Sequence, residues 1–161
     1  MKRNRLTIFL AVLVFQLSSS AAFAAESAFD AFLTRFDYEM RDEMKIDSKE
    51  LTVMLRAGKA VLVDVRFPEE VAAWRMGFTV TMPLNELPKR YGELPKDKLI
   101  VTACPHKERS AIAMTYLRTR GYSAKYLTDG LLGLADYLRG ERARDYVEDI
   151  LGIGRVNETG K

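Results

Sequence analysis

The 161-residue chain is 48% hydrophobic and 29% charged, with 10 glycines and 5 prolines. That balance suits a protein that buries one ordinary core and excludes disorder, collagen and coiled coil. The formal charge of +3 arises from 25 Lys plus Arg against 22 Asp plus Glu, and Lys2, Arg3 and Arg5 account for the whole excess. The rest is electrically balanced, without a basic stripe interleaved with aromatics, which excludes a nucleic-acid surface.

Lys2-Arg3-Asn4-Arg5 forms a cationic lead, Leu6 to Leu17 an apolar run broken only by Thr7 and Gln16, and Ser18-Ser19-Ser20 opens a small-residue stretch. This order describes a secretory signal peptide over 1–24, cut after the small-x-small triplet Ala22-Phe23-Ala24. A periplasmic or secreted product is expected. The alternative is an uncleaved signal acting as a membrane anchor, but its Ser- and Ala-rich second half is weakly apolar for that use. A lipid anchor would need a cysteine at the cut, where none stands.

Apolar residues then fall at Phe29, Phe32, Phe36 and Met40, predicting one amphipathic helix from Ala28 to Met44 in an N-terminal extension, 25–46. Its apolar face reads first as a lid on the chain's own core and second as a docking face for a protein partner. Asp47 or Ser48 caps the next helix, which ends at Ala57-Gly58. Ala60 to Val63 is a buried strand leading through Asp64-Val65-Arg66 to a helix that starts at Pro68. Phe78 to Met82 reads as a second strand and Leu84 to Tyr91 as a short helix. Leu99 to Ala103 is the clearest strand of all, and it runs straight into Cys104. A helix from Ser110 to Arg120, a strand from Ala124 to Leu127 and a helix from Leu131 to Arg139 complete the pattern. Strands alternating with helices at this pace imply an α/β domain over 47–140, an open parallel sheet with helices on both faces. Residues 141–161 add a helix carrying Tyr146, Val147, Ile150 and Leu151, then a polar tail expected to fray.

Ligands of open parallel sheets bind beyond the carboxyl ends of the strands, which is where Cys104 stands. Cys104-Pro105-His106-Lys107-Glu108-Arg109-Ser110 joins that strand to a helix start, where backbone N–H groups lack intrahelical partners. Those donors, with Lys107 and Arg109, favour thiolate over thiol, and the same ring would hold an anion. The bland reading of Cys104 is a small buried hydrophobe. His106, the single histidine, could add charge or simply lie exposed. One cysteine cannot form an intramolecular disulfide, and one Cys with one His cannot assemble a zinc site, so neither metal nor cofactor is expected.

Two blocks resemble the rhodanese-like sulfurtransferases. Leu62-Val63-Asp64-Val65-Arg66-Phe67-Pro68-Glu69-Glu70-Val71, continuing to Pro83-Leu84, is similar to the family's Asp-Val-Arg segment, its Pro-Glu-Glu and its later Pro-Leu. Ile100 to Cys104 and on to Arg109-Ser110 is similar to its strand ending in Cys-x-x-Gly-x-Arg-Ser, followed here by the Ala-rich helix, Gly121-Tyr122, a strand and Gly130. The resemblance covers roughly 47–140 and implies a rhodanese-like domain moving a sulfane sulfur through a persulfide on Cys104. The implied donor is a small sulfur-containing anion such as thiosulfate or a persulfide, and the acceptor a thiol or cyanide. Arg109, Lys107, His106 and Ser110 would contact the anion. Arg66 is a candidate further cation, although an ion pair with Glu70 is the favoured reading, and Asp64 reads as a tether for loop backbone. Lys107 stands where the family has glycine, a substitution costing about 1–2 kcal/mol if the backbone there is left-handed. Trp74-Arg75 replaces Gly-His, and Asp129-Gly130 keeps one glycine of a usual pair. Three other readings are weighed. A phosphatase-like enzyme would need a loop one residue longer between cysteine and arginine. A regulatory module of this fold generally lacks the cysteine. A thiol redox sensor would usually carry a resolving cysteine.

Overall fold

A computed structural model of the chain describes residues 28–151. The signal-peptide reading and the expected tail beyond Leu151 lie outside the described residues. The described residues fall into two compact units that divide after Tyr38. In the first, residues 28–34 are helical, and the rings of Phe29 and Phe32 stack 6.5 Å apart. The single helix expected from Ala28 to Met44 is interrupted: Phe36 N–H bonds to the Leu33 carbonyl at 3.1 Å in a turn, and a separate helix α1 covers Tyr38–Glu43. Asp37, a residue type that starts helices better than it continues them, immediately precedes it. Phe29, Leu33, Phe36 and Tyr38 are exposed.

In the second unit the elements follow as β1 (Lys45–Ile46), α2 (Ser48–Arg56), β2 (Ala60–Asp64), α3 (Pro68–Ala73), β3 (Val80–Thr81), α4 (Leu87–Arg90) with a 3₁₀ turn (Tyr91–Glu93), β4 (Leu99–Ala103), α5 (Glu108–Thr119), β5 (Ala124–Leu127), α6 (Gly130–Tyr137) and α7 (Glu141–Leu151). The five strands form one sheet in the order β1-β5-β4-β2-β3, and every pairing is parallel. The expected α/β architecture is thus present. Asp47 caps α2 by accepting the Glu50 N–H at 2.8 Å. The strand expected over Phe78 to Met82 shortens to two residues at the sheet edge, and β1 is an element that the apolar pattern does not announce.

Alternation along the central strand decides which side chains meet. Ile100 and Cys104 join the core built with Val63, Leu87, Ala113, Met114 and Leu117, the face covered by α4 and α5. Val101 and Ala103 join Leu51, Leu62, Leu131 and Leu134 on the opposite face, covered by α2 and α6. Thr102, of the same parity as Cys104, donates its hydroxyl hydrogen to the Ser110 carbonyl at 2.7 Å. A period of two therefore fixes the cysteine side chain on the α5 side of the sheet.

At the carboxyl end of β2 the backbone passes over a fully buried ion pair. Arg66 Nη2 lies 2.6 Å from Asp64 Oδ2, with neither side chain exposed. Arg66 Nε also donates to Asp64 Oδ1 at 2.9 Å, and the Arg66 N–H to the same oxygen at 3.1 Å. Nη2 reaches on to the Trp74 carbonyl at 2.8 Å, and the guanidinium lies 4.1 Å from the centre of the Trp74 ring. This knot joins the end of β2 to the end of α3. Removing one partner of a buried pair leaves the other charge uncompensated, which costs about 3–5 kcal/mol. Asp64→Asn is therefore expected to lower the unfolding free energy by about 3 kcal/mol or more, measured by urea denaturation.

Candidate active site

Cys104 follows β4 directly and has no exposed surface. Its Sγ donates to the Ser110 hydroxyl oxygen at 3.7 Å, and the Ser110 hydroxyl hydrogen goes to the Lys107 carbonyl at 2.9 Å. The sulfur is thus packed on one side by core residues and faced on another by a hydroxyl at the base of α5. Arg109 lies close enough for the Cys104 sulfur to help hold its guanidinium charged, after the larger influence of Glu70.

The helix starts at Glu108, two residues ahead of the expected Ser110, so the Cys104 loop is shorter and tighter. Lys107 is the residue before the first helical turn, with φ −151° and ψ −15°. A negative φ accommodates lysine where the family has glycine, so the left-handed strain considered above does not arise. The Lys107 and His106 side chains are exposed at the rim. Ser110, expected as an anion contact, is fully buried beneath the sulfur.

Arg66 is corrected in two respects. It is fully buried, with its guanidinium committed to Asp64 and the Trp74 carbonyl, so it holds the scaffold under the site and does not face an incoming anion. Its partner is Asp64; of Glu70 it meets only the carbonyl oxygen, at 3.4 Å. Glu70 instead clamps Arg109: Nη1 donates to Glu70 Oε2 and Nη2 donates to Oε1 at 2.9 Å. The same carboxylate accepts the Phe67 N–H at 3.1 Å, tying the clamp to the start of α3. The Arg109 hydrogen bonds, with the Phe67 N–H and the nearby guanidinium charges adding to them, hold the Glu70 carboxyl down to about 2 against the opposing effect of burial. The spacing of two between Asp64 and Arg66 points to the observed partner, because residues two apart in an extended chain share a face, a signal available in the sequence.

Sequence reasoning also missed what holds the loop from behind. Leu131 N–H donates to the Cys104 carbonyl at 2.8 Å and Leu132 N–H to the Pro105 carbonyl at 3.4 Å, so the first turn of α6 grips the loop backbone. Gly130 makes the approach possible: at φ +65° a Cβ there would lie 2.3 Å from the Pro105 oxygen and 2.4 Å from the His106 oxygen. Both the left-handed conformation and the contact require glycine.

Gly130→Ala is expected to lose about 2 kcal/mol or more in urea denaturation and to speed alkylation of Cys104. Gly92→Ala, where an added Cβ meets nothing within 4 Å, should change neither. Because the Glu70 carboxyl is held down to about 2 from 4.5, its stabilising contribution is complete above pH 4.5 and disappears as pH falls toward 2. Glu70→Gln should accordingly lower Tm at pH 7, and the gap to the parent protein should close across that acidic interval.

Comparison with known proteins agrees with this fold. The model of the rhodanese-like domain family matches residues 47–136, more than half of the chain. A sulfurtransferase of Allochromatium vinosum is 37% identical over 79 residues, covering 48% of this chain and 74% of the relative. The thiosulfate sulfurtransferase GlpE of Stutzerimonas stutzeri is 30% identical over 91 residues, 56% of this chain and 83% of the relative. A solved human single-domain sulfurtransferase superposes with a TM-score of 0.52 at 26% identity, covering 58% of this chain and 96% of that structure. With its parallel sheet and its cysteine at the end of the central strand, the chain belongs to the rhodanese-like domain family.

Proposed function

We propose that this protein is an exported sulfurtransferase in which Cys104 accepts a sulfane sulfur from a small donor and passes it to a thiophile. The observation that carries the reading is the placement of the Cys104 sulfur, 3.7 Å from the Ser110 hydroxyl and within the influence of the Glu70-clamped Arg109. The similarity to sulfurtransferases supports it. Export rests on the signal-peptide pattern of residues 1–24.

In the first step the Cys104 thiolate attacks the outer sulfur of the donor. A new S–S bond forms, the donor's own S–S bond breaks, and its electron pair leaves with sulfite when the donor is thiosulfate. Cys104 then carries an anionic persulfide. In the second step cyanide or a thiolate attacks the outer sulfur of that persulfide, and the electron pair returns to Cys104 as thiolate. When the sulfur is a thiol it donates to Ser110; when it is an anion the Ser110 hydroxyl turns from the Lys107 carbonyl to donate toward it. The helix-end amides and Arg109 stabilise both anions, and Lys107 at the rim draws in the donor. Since Cys104 has no exposed surface at rest, donor arrival requires its surroundings to open.

Mature protein incubated with thiosulfate should gain the mass of one sulfur atom, and Cys104→Ser should gain none. Cyanide should then discharge the adduct. An adduct that persists in the serine variant would overturn the assignment, as would hydrolysis of phosphate esters by protein that takes up no sulfur.

A further inference from the structure

The two groups best placed to meet an anionic donor are both occupied by carboxylates of the chain itself. Arg109 is gripped through both terminal nitrogens by Glu70. The Lys107 N–H, at the rim of the Cys104 loop, donates to Glu108 Oε2 at 3.4 Å. The Glu108 carboxyl is held below its ordinary range first by its own backbone N–H and the Lys107 N–H, then by the charges of His106 and Lys107. Glu108 is exposed and takes no part in the two-step transfer. It nonetheless puts a negative charge on a backbone N–H of the segment that follows Cys104.

Building on the sulfur-transfer reading, we infer that Glu108 is a specificity-determining residue that selects donors by charge. It disfavours the dianion thiosulfate and favours small alkyl hydropersulfides whose organic part is uncharged. A dianion must either displace Glu108 from the Lys107 N–H or come to rest beside it. Arg109 cannot offset that repulsion fully, because Glu70 already balances its charge. A hydropersulfide of an uncharged thiol brings no charge to its far end. The Cys104 thiolate takes its outer sulfur, the donor S–S bond breaks, and the leaving thiolate carries away one negative charge while Cys104 becomes a hydropersulfide. The Lys107 charge, which acts on Glu108, softens its field without removing it. Repulsion between one carboxylate and a neighbouring dianion through well-solvated space corresponds to on the order of tenfold in rate, and it weakens with salt.

The test measures sulfur uptake by Cys104 in the mature protein without any acceptor, by intact mass at timed intervals. Thiosulfate is compared with 2-hydroxyethyl hydropersulfide, and the parent protein with Glu108→Gln. The variant should take sulfur from thiosulfate on the order of tenfold faster at low ionic strength, with the gain shrinking as salt is added. Uptake from the uncharged donor should change less than twofold. Equal acceleration of both donors would mean that Glu108 only restrains the loop, and an unchanged thiosulfate rate would mean that its charge is not felt; either result overturns the inference while leaving sulfur transfer intact. Failure of both donors to load Cys104 in either protein would overturn the sulfur-transfer reading itself, and this inference with it.

Discussion

The shape of the Cys104 loop depends on one close approach, that of the first turn of α6 to the backbone of Pro105 and His106. Where Gly130 stands, a Cβ would fall 2.3 Å from a carbonyl oxygen, closer than any side chain tolerates. With that atom absent, Leu131 and Leu132 donate their N–H groups to the carbonyls of Cys104 and Pro105. A loop fastened by its carbonyls in this way has its backbone path set by the first turn of α6.

The second determinant is the buried joint beneath the site. Asp64 and Arg66 sit at the end of β2 beside the end of β4, and Met82 N–H donates to the Asp64 carbonyl at 2.9 Å, so β3 and the approach to α4 are hung from the same point. Trp74, which stands where the family has glycine, closes this joint with its ring against the guanidinium. Ion pairs taken out of water are poor sources of stability but exacting about geometry. Here the geometry they fix is the approach of the end of α3 to the end of β2. Glu70 extends the arrangement upward, linking α3 to Arg109 on α5.

Much of this could be read from the residues. The apolar run from Leu99 to Ala103 leading into Cys104, the Gly58 and Gly121 helix stops and the Pro68 helix start are local signals, and local signals suffice for the α/β pattern and the place of the cysteine. What escaped depends on tertiary partners. Lys45-Ile46 has no periodicity of its own and becomes a strand only because Tyr126 and Leu127 lie beside it. The helix expected over 28–44 has the right spacing throughout, yet spacing alone does not register a helix-starting Asp37 in its middle. The partner of Arg66 was misread because a pairing four residues along a helix was favoured over one two residues back on a strand. Lys107 would strain the loop only if its backbone were left-handed, and that position keeps a negative φ.

A sulfur with no solvent-facing surface is also a sulfur that peroxide cannot strike by collision. Damage through sulfenic and then sulfinic acid requires contact with the thiolate, so ageing of this lone thiol proceeds at the frequency with which its cover lifts. The same burial that orders this side chain thus also shelters it from the oxidants of its surroundings.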